Sequence, residues 1–360
     1  MSKRFIITII TLIAIAFFGG VAIFFAKGYS ISTKEKRIVG TGILAVSSEP
    51  DAASVYLDGH LTTATNANIN SLAPKSYSVK VIKDGFIPWE RAVEIKEGLV
   101  TDLKITLFPA IPTIYPLTFS GVTSPSLSPD GSKLAFIVPA LAGTKKAGIW
   151  VWTLSRNQPI AFARSAEPHQ IVTNSVTDFS KATLKWSADS KQVLANLSES
   201  NFLLDSERLN TDPRDITAVL AVTIKGWEED TKAKDEARIL AIKDSNLRKT
   251  ASDSALLQWS PDETKFMVGL KVYDLETKKN YDLPSAKAHL WLPDSMHIIT
   301  VEDSTISLID FDGTNKAVIY AGKFEDSFVF PWPDSSRLVI ISSIPTPTAS
   351  EPNLYGINLR

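Results

Sequence analysis

The chain of 360 residues contains no cysteine, so it has no disulfide framework, no thiol nucleophile and no thiolate metal ligand. A lipoprotein-type lipid attachment at cysteine is excluded for the same reason. Histidine is scarce and dispersed, since the four residues are His60, His169, His289 and His297. None of them forms an H-x-x-x-H or H-E-x-x-H pair that would bind a metal. We therefore expect neither a metal nor a cofactor.

Two other signatures of chemistry are missing. The chain has no G-x-S-x-G nucleophile elbow and no glycine-rich phosphate loop, which argues against the common hydrolase and nucleotide sites. Its formal net charge is −1, from 38 Lys and Arg against 39 Asp and Glu. Without a basic stripe, nucleic acid is not an expected partner. These absences predict a protein that is not an enzyme.

The chain does have a short phrase that occurs five times between residues 126 and 340. One copy reads Leu257-Gln-Trp-Ser-Pro-Asp-Glu-Thr-Lys-Phe-Met267. Pro fixes φ for a turn and Asp can bond the backbone two residues on, so each copy predicts a strand, a tight turn and a second strand. The recurring residues are Asp130, Asp189, Asp262, Asp294 and Asp334, with Trp186, Trp259, Trp291 and Trp332.

These recurring residues have a structural and a functional interpretation. The aspartates are expected to cap the inner turns, and acid–base catalysis is the alternative. The tryptophans are expected to pack between strands, and an aromatic ligand-binding face is the alternative. The structural role is favoured for both sets, because each set recurs with the repeat.

The repeat predicts a β-propeller of about five blades with four strands each. The intervals of 32 and 40 residues between motif aspartates suit single blades, whereas those of 59 and 73 predict insertions or a degenerate sixth or seventh blade. The last unit has only three strands, and 113–118 is the candidate for its fourth. Strands from both ends of the propeller would then close the ring and leave no free edge.

The Trp-Ser-Pro-Asp phrases resemble the repeats of TolB-like, WD-type propellers over residues 113–360. Such propellers occur in periplasmic and surface proteins and mostly serve as platforms for partners. The resemblance therefore implies a propeller fold and a binding role, and it specifies no ligand.

The N-terminus predicts a membrane anchor. Phe5–Ala26 is 22 residues without a charge, which suffices to span a bilayer at about 1.5 Å per residue. A cleaved signal peptide is the competing interpretation, but its apolar region is usually about 7–15 residues. Lys3 and Arg4 favour a cytoplasmic N-terminus, although basic residues also follow the segment. We expect a single-pass signal anchor at the cell membrane, with the bulk of the chain extracytoplasmic.

Between the anchor and the propeller, residues 41–109 predict a small antiparallel β-sandwich, because alternating apolar stretches are separated by turns such as Asp58-Gly59. Ser48-Glu-Pro-Asp-Ala-Ala-Ser-Val-Tyr-Leu-Asp-Gly59 and Lys83-Asp-Gly-Phe86 resemble the PEGA domain, a surface-associated β module. Ala52 and Lys75 stand where that pattern usually has glycine. The resemblance implies a non-catalytic spacer or an envelope contact.

A segment at about 205–250 does not fit the blades. Asp212-Pro213 resembles a helix N-cap followed by proline at the first helical position, and a second amphipathic helix is predicted to begin after Gly226. Glu228 and Lys232 are spaced to support that second helix. Packing on the side of the ring is the plainer interpretation of this helical insertion. A docking surface for a partner is the alternative, with Trp227, Ile216 and Leu220 as its candidate contacts.

The predicted organisation is mainly β, in three parts: residues 1–37 (tail, transmembrane helix and juxtamembrane segment), 38–109 (PEGA-like sandwich) and 110–360 (propeller). The hypothesis for function is a membrane-anchored, extracytoplasmic scaffolding protein of the cell envelope. Its propeller would bind an unknown envelope protein or glycan. The alternative is a propeller hydrolase or lactonase with its active site in the channel.

Overall fold

The computed structural model describes residues 3–26, 29–32, 37–140, 146–154, 167–325, 328–344 and 352–360. The chain forms two compact units, Met1–Ala110 and Ile111–Arg360. The boundary falls in the proline-rich stretch 108–112, where no alternating apolar pattern continues.

The first unit begins with helix α1 (Lys3–Ala26), followed by a hairpin of β1 (Tyr29–Ser32) and β2 (Arg37–Gly40). Over the residues described, no helix combines the length and the hydropathy of a membrane span. The anchor therefore stays a prediction from the sequence.

The rest of the first unit is a two-layer β-sandwich. The strands are β3 (Gly42–Glu49), β4 (Ser54–Leu57), β5 (His60–Ala64), β6 (Ala67–Leu72), β7 (Ser76–Ile82), β8 (Trp89–Glu94) and β9 (Val100–Thr106). One sheet has the order β6-β3-β9 and the other β5-β4-β7-β8. Alternating side chains of both sheets, such as Leu44, Val55 and Val79, are fully buried between the layers.

Two details of the sandwich differ from the prediction. Strands β3 and β9 pair in parallel, so the sandwich is not wholly antiparallel; the chain crosses to the other sheet between them and returns in the same direction. Strands β5 and β6 were not predicted. Four of the five residues of β5 are exposed, so this strand lacks the alternation that marks a half-buried strand.

The second unit contains five four-stranded antiparallel sheets, the predicted propeller. Blade 1 is β11 (Thr123–Leu127), β12 (Lys133–Val138), β13 (Gly148–Thr153) and β14 (His169–Thr173), and blade 2 is β15 (Thr183–Trp186), β16 (Gln192–Asn196), β17 (Asn201–Asp205) and β18 (Arg214–Asp215). Blade 3 is β19 (Leu257–Trp259), β20 (Lys265–Val268), β21 (Lys271–Asp274) and β22 (Asn280–Asp282), and blade 4 is β23 (Ala288–Trp291), β24 (His297–Val301), β25 (Thr305–Asp310) and β26 (Ala317–Ala321). Blade 5 is β10 (Ile114–Pro116) with β27 (Val329–Pro331), β28 (Arg337–Ser342) and β29 (Asn353–Asn358).

Blade 5 is completed from the start of the unit. Strand β10 pairs with β29, with Ile114 opposite Ile357. Just beyond the pairing, the Leu117 N–H donates to the Leu354 carbonyl at 2.8 Å. The prediction that 113–118 supplies the missing strand is confirmed. Because the two ends of the unit share one sheet, hydrogen bonds between them close the ring.

Apolar clusters bury the faces between blades. Ile137 and Val193 belong to one cluster from blades 1 and 2, and Phe136 with Ile341 to one from blades 5 and 1. Blades 3 and 4 share a third.

The insertion between blades 2 and 3 departs from the prediction. Residues 214–215, expected to start a helix, form β18 and pair with Leu203 and Phe202. A short 3₁₀ turn (Thr217–Val219) leads into one helix, α2 (Leu220–Ala241), which continues through Gly226. A further helix, α3 (Ser245–Ser252), was not predicted. The Glu228–Lys232 pair is not formed, because Glu228 pairs with Lys185 and Lys232 with Glu236.

Candidate functional site

The motif aspartates hold the turn between the first two strands of each blade. In blade 1 the Ser128 hydroxyl donates to Asp130 Oδ1 at 2.6 Å, and the Ser132 N–H donates to the same oxygen at 3.0 Å. Asp189 and Asp262 repeat this arrangement, and Asp294 and Asp334 accept backbone N–H groups in the same way. The next residue always has a left-handed backbone, with φ from 59° to 68°: Gly131, Ser190, Glu263, Ser295 and Ser335.

These turns stabilise the ionised form of three motif aspartates. The pKa of Asp189 is lowered, chiefly by the hydrogen bond from the Ser187 hydroxyl. Burial raises the pKa of Asp130 and of Asp262, but hydrogen bonds from neighbouring hydroxyl and amide groups outweigh it, so both pKa values are lowered. A lowered pKa suits a structural acceptor and not a general acid or base near neutral pH.

Blade 4 builds the turn with a histidine. Leu292 occupies the position of the motif serine, and His297 Nδ1 lies 2.7 Å from Asp294 Oδ2. His297 Nε2 lies 3.4 Å from Asp310 Oδ1, and the ring is buried. Burial lowers the pKa of His297, but the two carboxylates more than offset it and raise the pKa to about 9. His297 is therefore a buried cation between two acids.

Blade 5 uses an arginine at the same position. Trp332 replaces the motif serine, and Arg337 lies over its ring at 4.6 Å. Arg337 also donates to the hydroxyl of Tyr115 on the closing strand at 2.8 Å. In the earlier blades the corresponding residues are Lys133, Gln192 and Lys265.

The motif tryptophans lie at the junctions between blades. Trp186 Nε1 donates to the Ser126 carbonyl of blade 1 at 2.8 Å, and Trp291 Nε1 donates to the Gln258 carbonyl of blade 3 at 3.3 Å. Trp332 is buried edge-on against Trp152. Trp259 departs from the pattern, because its Nε1 is buried and has no partner.

Motif segments of four blades line one cavity of about 850 Å³, which we call the central cavity. The first strands of blades 1, 3, 4 and 5 line it, whereas β15 of blade 2 supplies no lining residue and α2 supplies Asp235 and Arg238 instead. The lining is mostly proline, aromatic and aliphatic, and includes Leu127, Pro129, Trp259, Pro261, Leu290, Trp291, Phe330 and Pro331.

The charged groups in the central cavity are already bonded. Asp130 holds its own turn, while Arg238 donates to Glu263 at 2.8 Å and to Asp235 at 3.3 Å. Within the described residues, no three His, Asp or Glu side chains are placed to hold a metal ion. This chemistry suits retention of an apolar or extended ligand.

The three candidate contacts of the insertion are not equivalent. Ile216 is only 2% exposed, so its assignment as a partner contact is wrong; its N–H bonds to the Asn201 carbonyl and it follows directly after β18. Trp227 and Leu220 are half-buried on α2, which has no fully buried residue. Trp227 lines a second cavity, beside blade 2.

The motif reasoning did not identify His297, Arg337, Asp235 or Arg238. The first two could have been found by aligning the five motif copies, because they stand five residues after the column of Ser128, Ser187 and Ser260. Nothing in the sequence connects α2 with the motif strands.

Comparison with known proteins finds one family model and several similar solved structures. The PEGA domain model matches residues 41–111. Among solved structures, the chain is similar to an Agrobacterium tumefaciens protein provisionally assigned as TolB (15% identity, 64% of this chain and 76% of that chain, TM-score 0.23). It is also similar to TolB from Acinetobacter baumannii (12% identity, 79% and 60%, TM-score 0.25) and to the AfRom2 CNH domain (10% identity, 69% and 100%, TM-score 0.36). No curated protein matches the chain.

Proposed function

We propose that this chain is a membrane-anchored, extracytoplasmic binding protein without catalytic activity, whose propeller holds a segment of an envelope protein. The observation that carries the proposal is the central cavity, where the edges of four blades present proline and aromatic side chains to one space of about 850 Å³. Concave, mainly apolar sites with few polar groups are typical of ligand binding.

The lining favours an extended protein segment. Aromatic and proline side chains such as Trp259 and Pro261 provide rigid surfaces that complement apolar or proline-rich peptides. The charged residues at the site are bonded to each other or to their own turns, so a peptide would meet no unpaired charge. Acid–base catalysis on a soluble substrate would need a charged group that is not already bonded.

The anchor and the PEGA unit complete the proposal. Phe5–Ala26 carries no charge, and apolar side chains of α1 such as Ile15, Phe17 and Phe18 are exposed, which supports a role in the bilayer. The match to the PEGA domain over 41–111 supports a spacer or an envelope contact. The propeller would then act outside the membrane.

The alternative of a propeller hydrolase or lactonase requires free carboxylates or a histidine in the channel. The described lining of the central cavity includes no histidine, and its acids, Asp130 and Asp235, are both engaged. No observation favours this alternative over binding.

Photo-crosslinking from inside the cavity tests the proposal. Gln258 is exposed and lines the central cavity, so a photoreactive phenylalanine analogue placed there in the full-length chain should capture an envelope protein in membranes. The matched control is the same analogue at Val318, which is 48% exposed on β26 and does not line the cavity. Capture of the same species from both positions, or of no protein from position 258, would exclude the central cavity as the binding site.

A further inference from the structure

Among the described residues, the junction between blades 2 and 3 lacks two hydrogen bonds that join blade 1 to blade 2 and blade 3 to blade 4. At two other junctions, a tryptophan donates to the preceding blade and the N–H of a motif aspartate lies near a serine of the following blade, at 3.4 Å for Asp130 to Ser190 and 3.0 Å for Asp262 to Ser295. In blade 3 the tryptophan is the unpartnered Trp259, and Glu263 stands in the place of that serine.

Helix α2 lies at this junction. Lys234 donates to the Ala188 carbonyl in the motif turn of blade 2 at 2.9 Å, and Arg238 donates to Glu263 in the motif turn of blade 3. The helix thus bridges two turns that do not bond each other. Between α2, α3 and blade 2 it leaves a cavity of about 590 Å³, the junction cavity.

The charged side chains around the junction cavity form ion pairs. Lys185 faces Glu228 at 3.7 Å, and Lys232 faces Glu236 at 3.6 Å. Asp235 pairs with Arg238, which does not line the cavity and also bonds Glu263. The lining itself carries two ammonium groups and three carboxylates, so an anion would find no surplus of positive charge. The paired carboxylates and ammonium groups keep further hydrogen-bonding positions, because each has more than one acceptor or donor site.

An indole provides the apolar part of the cavity. Trp227 is half-buried on α2 and lines the cavity. Trp186 also lines the cavity, but it is buried and its N–H is occupied by Ser126. The cavity therefore combines one accessible aromatic face with neutralised polar groups, including the hydroxyl of Ser252.

We propose that the junction cavity is a binding site for a neutral carbohydrate. A sugar ring has an apolar C–H face that packs on an aromatic side chain, and a rim of hydroxyl groups that bond carboxylate and ammonium groups. The volume of the junction cavity, about 590 Å³, lies within the range of about 300–1,000 Å³ that is typical of small-molecule sites. The site is separate from the proposed protein-binding site, although the two cavities share Pro129 and Asp235.

Calorimetric titration of the full chain tests this site, with triacetylchitotriose, cellotriose and maltotriose as neutral probes and a hyaluronan tetrasaccharide as the charged one. At least one neutral probe should bind, and Trp227→Ala should weaken its binding about tenfold or more. The matched control is Val222→Ala on the same helix, which is 75% exposed and does not line the cavity. This variant should bind like the unchanged chain.

Two further measurements separate this site from the central cavity and from misfolding. Gln258 lines the central cavity and not the junction cavity, so Gln258→Trp should leave sugar binding unchanged. The sugar titration therefore tests the junction cavity whether or not the protein-binding proposal is correct. Trp227→Ala should keep the thermal transition of the unchanged chain, because the side chain is not fully buried. The proposal is overturned if no neutral probe binds, if the charged probe binds more tightly, or if Val222→Ala weakens binding as much as Trp227→Ala.

Discussion

In blade 4, His297 takes the role that a serine hydroxyl has in blades 1 to 3. Ser128, Ser187 and Ser260 each donate to the motif aspartate that follows two residues later. Because Leu292 cannot donate, Asp294 bonds to His297 instead. A neutral hydroxyl donor is thereby replaced by a buried imidazolium, which makes the stability of this blade depend on pH.

Protonation of His297 should stabilise the folded chain. Its pKa is raised to about 9 in the fold, against about 6.5 in an unfolded chain. Because the folded state binds this proton more tightly, the contribution is fully present below pH about 6.5 and is lost as the pH rises through about 9. We expect the free energy of unfolding to fall by up to about 3 kcal/mol over that interval, measured by urea denaturation at several pH values.

The variant His297→Gln should lose most of this pH dependence. The matched control is His60→Gln, which removes an exposed histidine from the other unit and should keep the slope of the unchanged chain. If the free energy of unfolding of His297→Gln falls with rising pH as much as that of the unchanged chain, another group is responsible for the pH dependence.

Ala52 adopts a backbone conformation that favours glycine. Its φ is +54°, a conformation that costs a residue with a Cβ about 1–2 kcal/mol. Glycine avoids this strain, but it loses more conformational entropy on folding than alanine, which offsets part of the stabilisation. We expect Ala52→Gly to raise the free energy of unfolding of the first unit by about 0.5–1 kcal/mol. Ala64→Gly is the control, because Ala64 is also exposed but lies in β5 without a positive φ. It should lower the free energy of unfolding. Chemical denaturation of both variants should give opposite signs, and a loss of stability in Ala52→Gly would contradict the prediction.

At the scale of elements, the insertion shows how local signals mislead. Asp212-Pro213 has the pattern of a helix start, yet 214–215 complete the sheet of blade 2 and Ile216 is buried directly after it. Pairing with β17 outweighs the local preference, because it satisfies backbone hydrogen bonds of both segments and leads Ile216 into the core. Gly226 likewise does not end the helix, since α2 continues past it.

Replacement of Gly226 tests the continuous helix. A Cβ there would have nothing within 4 Å, and alanine is favoured over glycine in a helix interior by about 1 kcal/mol. Gly226→Ala should therefore stabilise the propeller unit by up to about 1 kcal/mol, as seen by thermal denaturation. Gly313→Ala should destabilise it, because φ is +81° and a Cβ would lie 2.5 Å from the Asp282 carbonyl oxygen. If Gly226→Ala also destabilises, the helix is broken at that residue.

At the scale of the whole molecule, the absence of cysteine permits a clean test of orientation. A single cysteine at position 176, where the valine is 91% exposed, should react with a membrane-impermeant maleimide in spheroplasts if the propeller is extracytoplasmic. A cysteine replacing Ser2 should react only after permeabilisation, because Lys3 and Arg4 favour a cytoplasmic N-terminus. Protection of position 176 until lysis would reject the proposed localisation.

The sequence alone determined the repeat, the closing strand and the sandwich, because each depends on patterns read within one segment: a Pro-Asp turn between apolar runs, or alternation at period two. The tertiary structure decided what depends on distant segments. The parallel pairing of β3 with β9, the pairing of β18 and the position of α2 against two motif turns all join residues that no local pattern relates. The candidate cavities belong to this second group, since they form only where blade edges and α2 meet.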